Sequence, residues 1–220
     1  MGAIRGVLFI AVLTFGISGV GYGQAADVGL VNQVAGDVSY VSTSGAGKVQ
    51  VFMKMRQGDR YTVAAGGQVK VMYFQNGRQE TWRGPAGFKA GPEHGEPLAG
   101  TVYEVANVPV GVPQKIQRIP ELLQMAKLGG VQVRGAPPKP RASPEQQAEV
   151  AAARATYAQL RQQAKPDDIT PELYLFTVLQ DNLLYDDMKT IADEMLRKQP
   201  GNQEAQQLAE WARLRVQSSR

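Results

Sequence analysis

The chain predicts a mixed α+β fold in two domains. A small antiparallel β sandwich or barrel comes first, and an all-α array of helical hairpins follows. Three observations predict it. Val69, Val71 and Tyr73 alternate with Gln68, Lys70 and Met72, and Asn76-Gly77 comes next. A period of two marks a strand with one buried face, and Asn-Gly accepts the positive φ angles of a hairpin turn. Gly135–Arg141, GAPPKPR, is a proline run, which favours extended geometry and resists both helix and sheet. Beyond it, Val150, Ala153, Tyr157 and Leu160 recur at helical spacing, as do Leu173, Phe176, Leu179 and Leu183.

The first residues predict export. Arg5 is the only charge in the first 26 residues, Val7 to Val20 is an apolar run, and small residues lead to Ala25-Ala26. That order is the order of a secretory signal, here residues 1–25. The run is shorter than the ~20 apolar residues of a membrane span, and no later segment is longer, so no transmembrane helix is expected after cleavage. Cysteine is absent. A lipid-modified cysteine, a disulfide and a thiolate metal site are therefore excluded. The expected compartment is periplasmic or secreted.

Residues 26–134 read as the β domain. Val28, Leu30 and Val34 precede the turn at Gly36-Asp37, and Val38 and Tyr40 follow it. Val49, Val51, Met53 and Met55 alternate with Gln50, Phe52 and Lys54, the most regular strand pattern in the chain. Gly58-Asp59 punctuates, Tyr61 and Val63 resume, and Trp82, Phe88, Val102 and Val105 continue after the hairpin. Short strands divided by glycine-rich turns predict a sandwich or barrel. A short helix is expected within Ile116–Lys127, starting near Pro120, because proline is tolerated in a first turn. Val131–Arg134 is read as an edge strand.

After the linker at 135–143, residues 144–220 read as helical. Ser143-Pro144-Glu145-Gln146 is a capping box with proline at the first helical position. Thr170-Pro171-Glu172 is read as the cap of a second helix carrying Leu173, Phe176, Leu179 and Leu183. A third is expected near Asp186–Lys198 with Met188, Ile191, Ala192, Met195 and Leu196 inward, and Pro200-Gly201 stops it. A fourth, Gln203–Val216, buries Ala205, Leu208, Ala209, Trp211 and Ala212.

The two halves carry opposite charge. Ala25 to Arg141 holds fourteen Lys+Arg against eight Asp+Glu, and Ala142 to Arg220 holds nine against twelve. Net +6 faces net −3, so the halves can attract each other or choose different partners.

Chemical motifs are few. His94, the one histidine, sits between Glu93 and Glu96 in a glycine-rich loop. Neighbours in sequence make a poor metal cage, so it reads as an exposed loop residue. Gly45-Ala46-Gly47-Lys48 lacks the spacing of a phosphate loop and reads as a turn. Asp167, Asp168, Asp181, Asp186, Asp187, Asp193 and Glu194 lack the pattern of a calcium loop; they read as helix N-termini or solvated faces. No nucleophile–base pairing stands out, and one histidine gives serine–histidine chemistry no support. No cofactor, no metal and no enzymatic activity are expected. The basic β half offers Lys54, Arg56, Lys70, Arg78, Trp82 and Arg83 as a candidate site for peptidoglycan or an anionic polysaccharide. The tail offers Tyr157, Leu175, Phe176, Tyr185 and Trp211 as a candidate groove for a protein partner in the envelope. Nucleic acid does not suit an exported protein.

Two resemblances refine this. Pro166 and Pro200 stand 34 residues apart, each between helices, and KQPGNQEAQQLA resembles the close of a tetratricopeptide repeat, whose period is about 34 residues. Met188, Ala192 and Phe176 depart from that family's usual residues, so the array is degenerate and about one and a half units long. Residues 31–90 resemble the FecR-like domain of bacterial envelope proteins. Gly36-Asp37-Val38 is similar to its opening strand, and Gly58-Asp59 with Thr62 to its glycine-aspartate-x-x-threonine step. Gly67, Val69, Val71, Phe74, Asn76-Gly77 and Glu80-Thr81 are similar to the paired strands that follow. The resemblance implies a non-catalytic β module. Its transcription-regulating members carry a cytoplasmic segment and a membrane helix, so an envelope signalling role ranks below scaffolding or wall binding here.

Overall fold

Alternation and turn residues build the front half. The computed structural model describes residues 25–109, 111–128 and 143–219. Its strands are β1 (Asp27–Ala35), β2 (Val38–Ser42), β3 (Gly45–Lys48), β4 (Lys54–Arg56) and β5 (Arg60–Val63). β6 (Gln68–Tyr73), β7 (Arg78–Arg83), β8 (Ala86–Ala90), β9 (Gly95–Ala99) and β10 (Glu104–Asn107) follow. They form two antiparallel five-stranded sheets, ordered β10-β7-β6-β1-β4 and β3-β2-β5-β8-β9. The mixed α+β class and the antiparallel sheets match the sequence reading.

The β6–β7 hairpin is there, with Val69 opposite Trp82 and Val71 opposite Glu80. Its loop is Phe74–Gly77, longer than a two-residue turn. Gly77 takes φ 69° and Asn76 Oδ1 accepts from Arg78 N at 2.9 Å. Val31, Val69, Val71, Tyr73 and Trp82 of the first sheet meet Val38, Tyr61, Val63 and Phe88 of the second in the sandwich core. Phe88 stacks between Tyr61 at 4.9 Å and Trp82 at 4.6 Å between centroids. Glu80 is buried among these rings. It accepts from Arg78 Nε at 2.6 Å, Gly95 N at 3.0 Å and Trp82 Nε1 at 3.1 Å, which satisfies a carboxylate removed from water.

The helices are α1 (Val112–Ile116), α2 (Ile119–Lys127), α3 (Pro144–Gln163), α4 (Thr170–Asp181), α5 (Tyr185–Lys198) and α6 (Gln203–Ser218). Ser143 caps α3 with both bonds of the capping box, and Asn202 Oδ1 caps α6 through Ala205 N. Consecutive helices from α3 to α6 pack on each other, and α1 and α2 touch α4 and α6. The turns at Pro166 and Pro200 lie side by side, with Gln199 Nε2 donating to Asp167 O at 2.7 Å. The helical core includes Ile116, Ile119, Leu173, Phe176, Leu179, Met188 and Leu208, but also Leu30 of β1, Phe52 and Met72 of β6. The helices therefore cover the outer face of the first sheet. β6 is buried on both faces, which is why Met72 interrupts its polar side.

Three expectations change. Val49–Met55 is not one strand: only Lys54–Arg56 is. The chain there crosses between sheets, with Val49 N bonded to Val38 O and Phe52 N to Val31 O. Phe52 takes φ 62°, an uncommon conformation for a bulky residue, and its ring enters the helical core. Alternation in this segment reflects burial in two different cores. Gly45–Lys48 is a short edge strand paired with β2, not a turn; Gly47 lets Tyr40 lie close, since a Cβ there would stand 3.3 Å from the ring. Of the acidic series, Asp186 and Asp187 lie in the first turn of α5 as read, but Asp168 is buried and ion-paired, and Asp181 ends α4, where Lys115 and Arg118 pair with it. The signal at 1–25, apart from residue 25, Val131–Arg134 and nearly all of the linker lie outside the described residues.

Candidate functional site

The two halves meet along a buried polar seam. Strand alternation places Lys70, Gln79 and Thr81 on the outer face of the first sheet, and a bulge in β1 brings Asn32 and Gln33 beside them. The loop between α3 and α4 lies across these residues. Lys70 Nζ meets Asp168 Oδ2 at 2.5 Å, and the two side chains are only 13% and 8% exposed. Asp168 Oδ1 accepts from Thr170 N at 2.9 Å. Thr170 Oγ1 accepts from Asn32 Nδ2 and Gln79 Nε2, each at 3.2 Å. Gln33 Nε2 donates to Asp167 Oδ2 at 3.0 Å, and Lys165 pairs with Glu104.

The sequence places Thr170 at the cap of α4. Instead α4 starts at Thr170, its N-cap Ile169 makes no side-chain cap bond, and Asp168 Oδ1 takes the first N–H of the helix. Thr170 turns its hydroxyl to the sheet, where two buried amides need an acceptor. A second set of bonds holds the loop from behind. Glu172, fully buried, accepts from Arg161 NH1 at 2.9 Å and Tyr157 Oη at 3.1 Å, with Lys198 Nζ at 4.0 Å. Arg161 NH1 also donates to Asp168 O at 2.6 Å. Burial pushes the Asp168 carboxyl up, but the Lys70 ammonium and the Thr170 hydrogen bonds outweigh it and hold the group below the ordinary carboxylate value.

Two clefts flank the Lys70–Asp168 pair. One, of about 70 Å³, runs beneath the end of α3 past Gln79, Ala106, Leu160 and Thr170. The other, of about 150 Å³, is lined by Gln33, Gln68, Lys70, Thr81, Arg83, Lys165, Asp167 and Asp168, with no apolar side chain among them. Arg83 stands out within it. Its Nε donates to Gln68 Oε1 at 2.9 Å, and its guanidinium lies 3.7 Å from the centre of the Tyr103 ring. No carboxylate among the described residues pairs with it.

Lys70 and Arg83 of the sequence-named β residues thus share one cleft. The others lie elsewhere. Lys54 and Arg56 pair with Asp27 at the opposite edge of the sheet, Arg78 pairs with Glu80, and Trp82 is fully buried in the sandwich core. The tail residues do not line an open groove: Leu175, Phe176, Tyr185 and Trp211 are buried and Tyr157 is half-buried. Lys165, Asp167, Asp168, Gln33 and Tyr103 were missed. Opposite net charge on the halves was the one sequence signal toward them. His94 is exposed in the β8–β9 turn. Among the described residues no group of three or more His, Cys, Asp or Glu is placed to hold a metal ion, and no helix is long and apolar enough to cross a membrane. Comparison with family models, with curated proteins and with solved structures returns no match.

Proposed function

We propose that this chain is an exported, non-catalytic binding and scaffold protein of the bacterial cell envelope. In this reading a FecR-like β module and a degenerate tetratricopeptide-like tail form two units, and the cleft where they meet is the recognition surface. One observation carries it. The charged side chains of the seam are spent on one another, which fixes the tail on the sheet, while Arg83 faces a polar cleft with no carboxylate partner among the described residues and its two terminal NH2 groups unused. A clamp beside one unspent cation suits binding.

The reading moves recognition away from the apolar residues of the tail. Those side chains hold the helices together, so a protein partner would meet the polar outer faces of α3 and α6.

Fractionation of cells expressing the full chain tests export, with N-terminal sequencing of the product. Cleavage near residue 25 and co-sedimentation of the purified protein with envelope fragments are expected. Retention of the first residues in a cytosolic product, or no co-sedimentation at low salt, would sink the proposal.

A further inference from the structure

The cleft over β1, β6 and β7 has a lining that discriminates between ligand classes. Three cations and two carboxylates line it, so its charge is +1. Lys70 is committed to Asp168 and Lys165 to Glu104. Of the three cations, Arg83 alone has no carboxylate partner among the described residues, and its two terminal NH2 groups are uncommitted. A guanidinium presents two parallel N–H bonds that match a carboxylate. A phosphate dianion would gain the same fork but would also face Asp167 and Asp168, so a ligand of one negative charge fits better. The remaining lining consists of two amides, a hydroxyl and one carboxylate: Gln33, Gln68, Thr81 and Asp167. These exchange hydrogen bonds with hydroxyl groups and offer nothing to an apolar side chain.

Tyr103 supplies the apolar element. It is 57% exposed, and Arg83 occupies one face of its ring. The exposed part of the ring is apolar surface beside Arg83, of the kind on which the C–H face of a sugar stacks. Tyr103 does not line the cleft itself, but its N bonds to Thr81 O at 2.8 Å, which holds its backbone beside a lining residue. The volume of about 150 Å³ is below the ~300 Å³ at the small end of drug-sized pockets. It suits one residue of a polymer whose neighbours run out over the surface.

We propose that this cleft binds one residue of an acidic saccharide, with its carboxylate on Arg83 and hydroxyls on Gln33, Gln68 and Asp167, and that the ring face of a neighbouring sugar meets Tyr103. The proposal rests on the envelope-binding reading above and names the ligand class of the same site.

The test is calorimetric titration of the full mature chain with two probes, oligogalacturonate and its carboxyl-reduced neutral counterpart, beside co-sedimentation with purified peptidoglycan sacculi. Arg83→Gln, Tyr103→Ala and Arg60→Gln are compared with the parent. Arg60 is exposed on the other sheet with no ion pair among the described residues, so it controls for bulk charge. Reduction of the carboxyl groups, or Arg83→Gln, is expected to weaken binding by at least about tenfold, the scale of one charge-assisted contact. Tyr103→Ala is expected to weaken it by about fivefold, and Arg60→Gln to leave it unchanged. Thermal melting confirms that each variant is folded. Arg83-dependent binding of oligogalacturonate alone assigns the ligand to acidic exopolysaccharide; Arg83-dependent binding of sacculi assigns it to wall glycan. Either supports the proposal. Equal affinity for acidic and reduced oligomers, or equal losses in the Arg83 and Arg60 variants, would overturn it. Envelope co-sedimentation that survives Arg83→Gln would overturn it while leaving the wider reading intact. Absence of all envelope binding would remove both.

Discussion

Breaking the Lys70–Asp168 pair should loosen the helices from the sheet. Lys70→Met leaves the Asp168 carboxylate buried, with Thr170 as its remaining hydrogen-bond partner. Loss of one partner from a buried pair costs about 3–5 kcal/mol. Lys70 touches both clefts, so water reaches the vacated site, and the lower end of that range applies. Asp168→Asn keeps an acceptor for Thr170 N and strands an ammonium that can swing toward solvent, at about 2 kcal/mol. The double variant removes both charges together. It should be less destabilised than the two singles combined, with a coupling of about 2–3 kcal/mol. Urea unfolding measures this, and the two tryptophans report separately: Trp82 lies in the sandwich core and Trp211 in the helical core. In the parent both signals should change in one transition. In Lys70→Met the Trp211 signal should shift to lower urea, ahead of Trp82. Additive single effects, or separate transitions already present in the parent, would refute the reasoning.

Three further outcomes are expected. Thr170→Val keeps the shape but takes the acceptor from Asn32 and Gln79, both buried; a loss of about 2–3 kcal/mol should appear in thermal melting. Gly84→Ala puts a Cβ 1.7 Å from Ala64 O, a backbone atom that cannot yield cheaply; yield of folded protein, read by circular dichroism, should collapse. Acid should destabilise the chain through Asp168, Glu149 and Asp193, whose folded-state values lie below the ordinary carboxylate value. Groups shifted down contribute stability above their unfolded value, and it drains as pH falls through the folded one. Stability should therefore fall as pH drops below about 4, and Asp168→Asn should flatten that slope in urea titrations at stepped pH.

The elements were legible where local chemistry fixes them. The β6–β7 hairpin needs Asn76-Gly77 and alternation. α3 needs the Ser143–Gln146 box, and both can be read within a few residues. Val49–Met55 misled because period-two burial arises equally from a crossing segment that feeds one core and then another. Thr170 misled for a related reason. A hydroxyl before Pro171-Glu172 has the local look of a cap, but two buried amides from strands about ninety to one hundred and forty positions earlier compete for it, and they win. The seam itself was nearly invisible: Lys70 and Asp168 are 98 residues apart, and no local pattern marks either as a partner. Arg83 and Lys70 were named, but as part of a set that strand geometry divides between a sheet face, a sheet edge and a core.

A polar seam is an unusual way to dock helices on a sheet, since apolar contacts alone stabilise such an interface more cheaply. Its effect is to select one arrangement. Leu30 and Met72 would accept many helix positions, because hydrophobic burial has no direction. Lys70, Asn32, Gln79 and Glu104 would not. Lys70 needs Asp168, Asn32 and Gln79 share Thr170, and Glu104 needs Lys165; a helix layer displaced by one turn, about 5.4 Å, would leave the buried members unpaired at about 1–3 kcal/mol each. The loop from Lys165 to Thr170 therefore has one position on the sheet. That position sets the wall of the cleft that Arg83 faces, so the residues that clamp the two halves together also give the open cleft its shape.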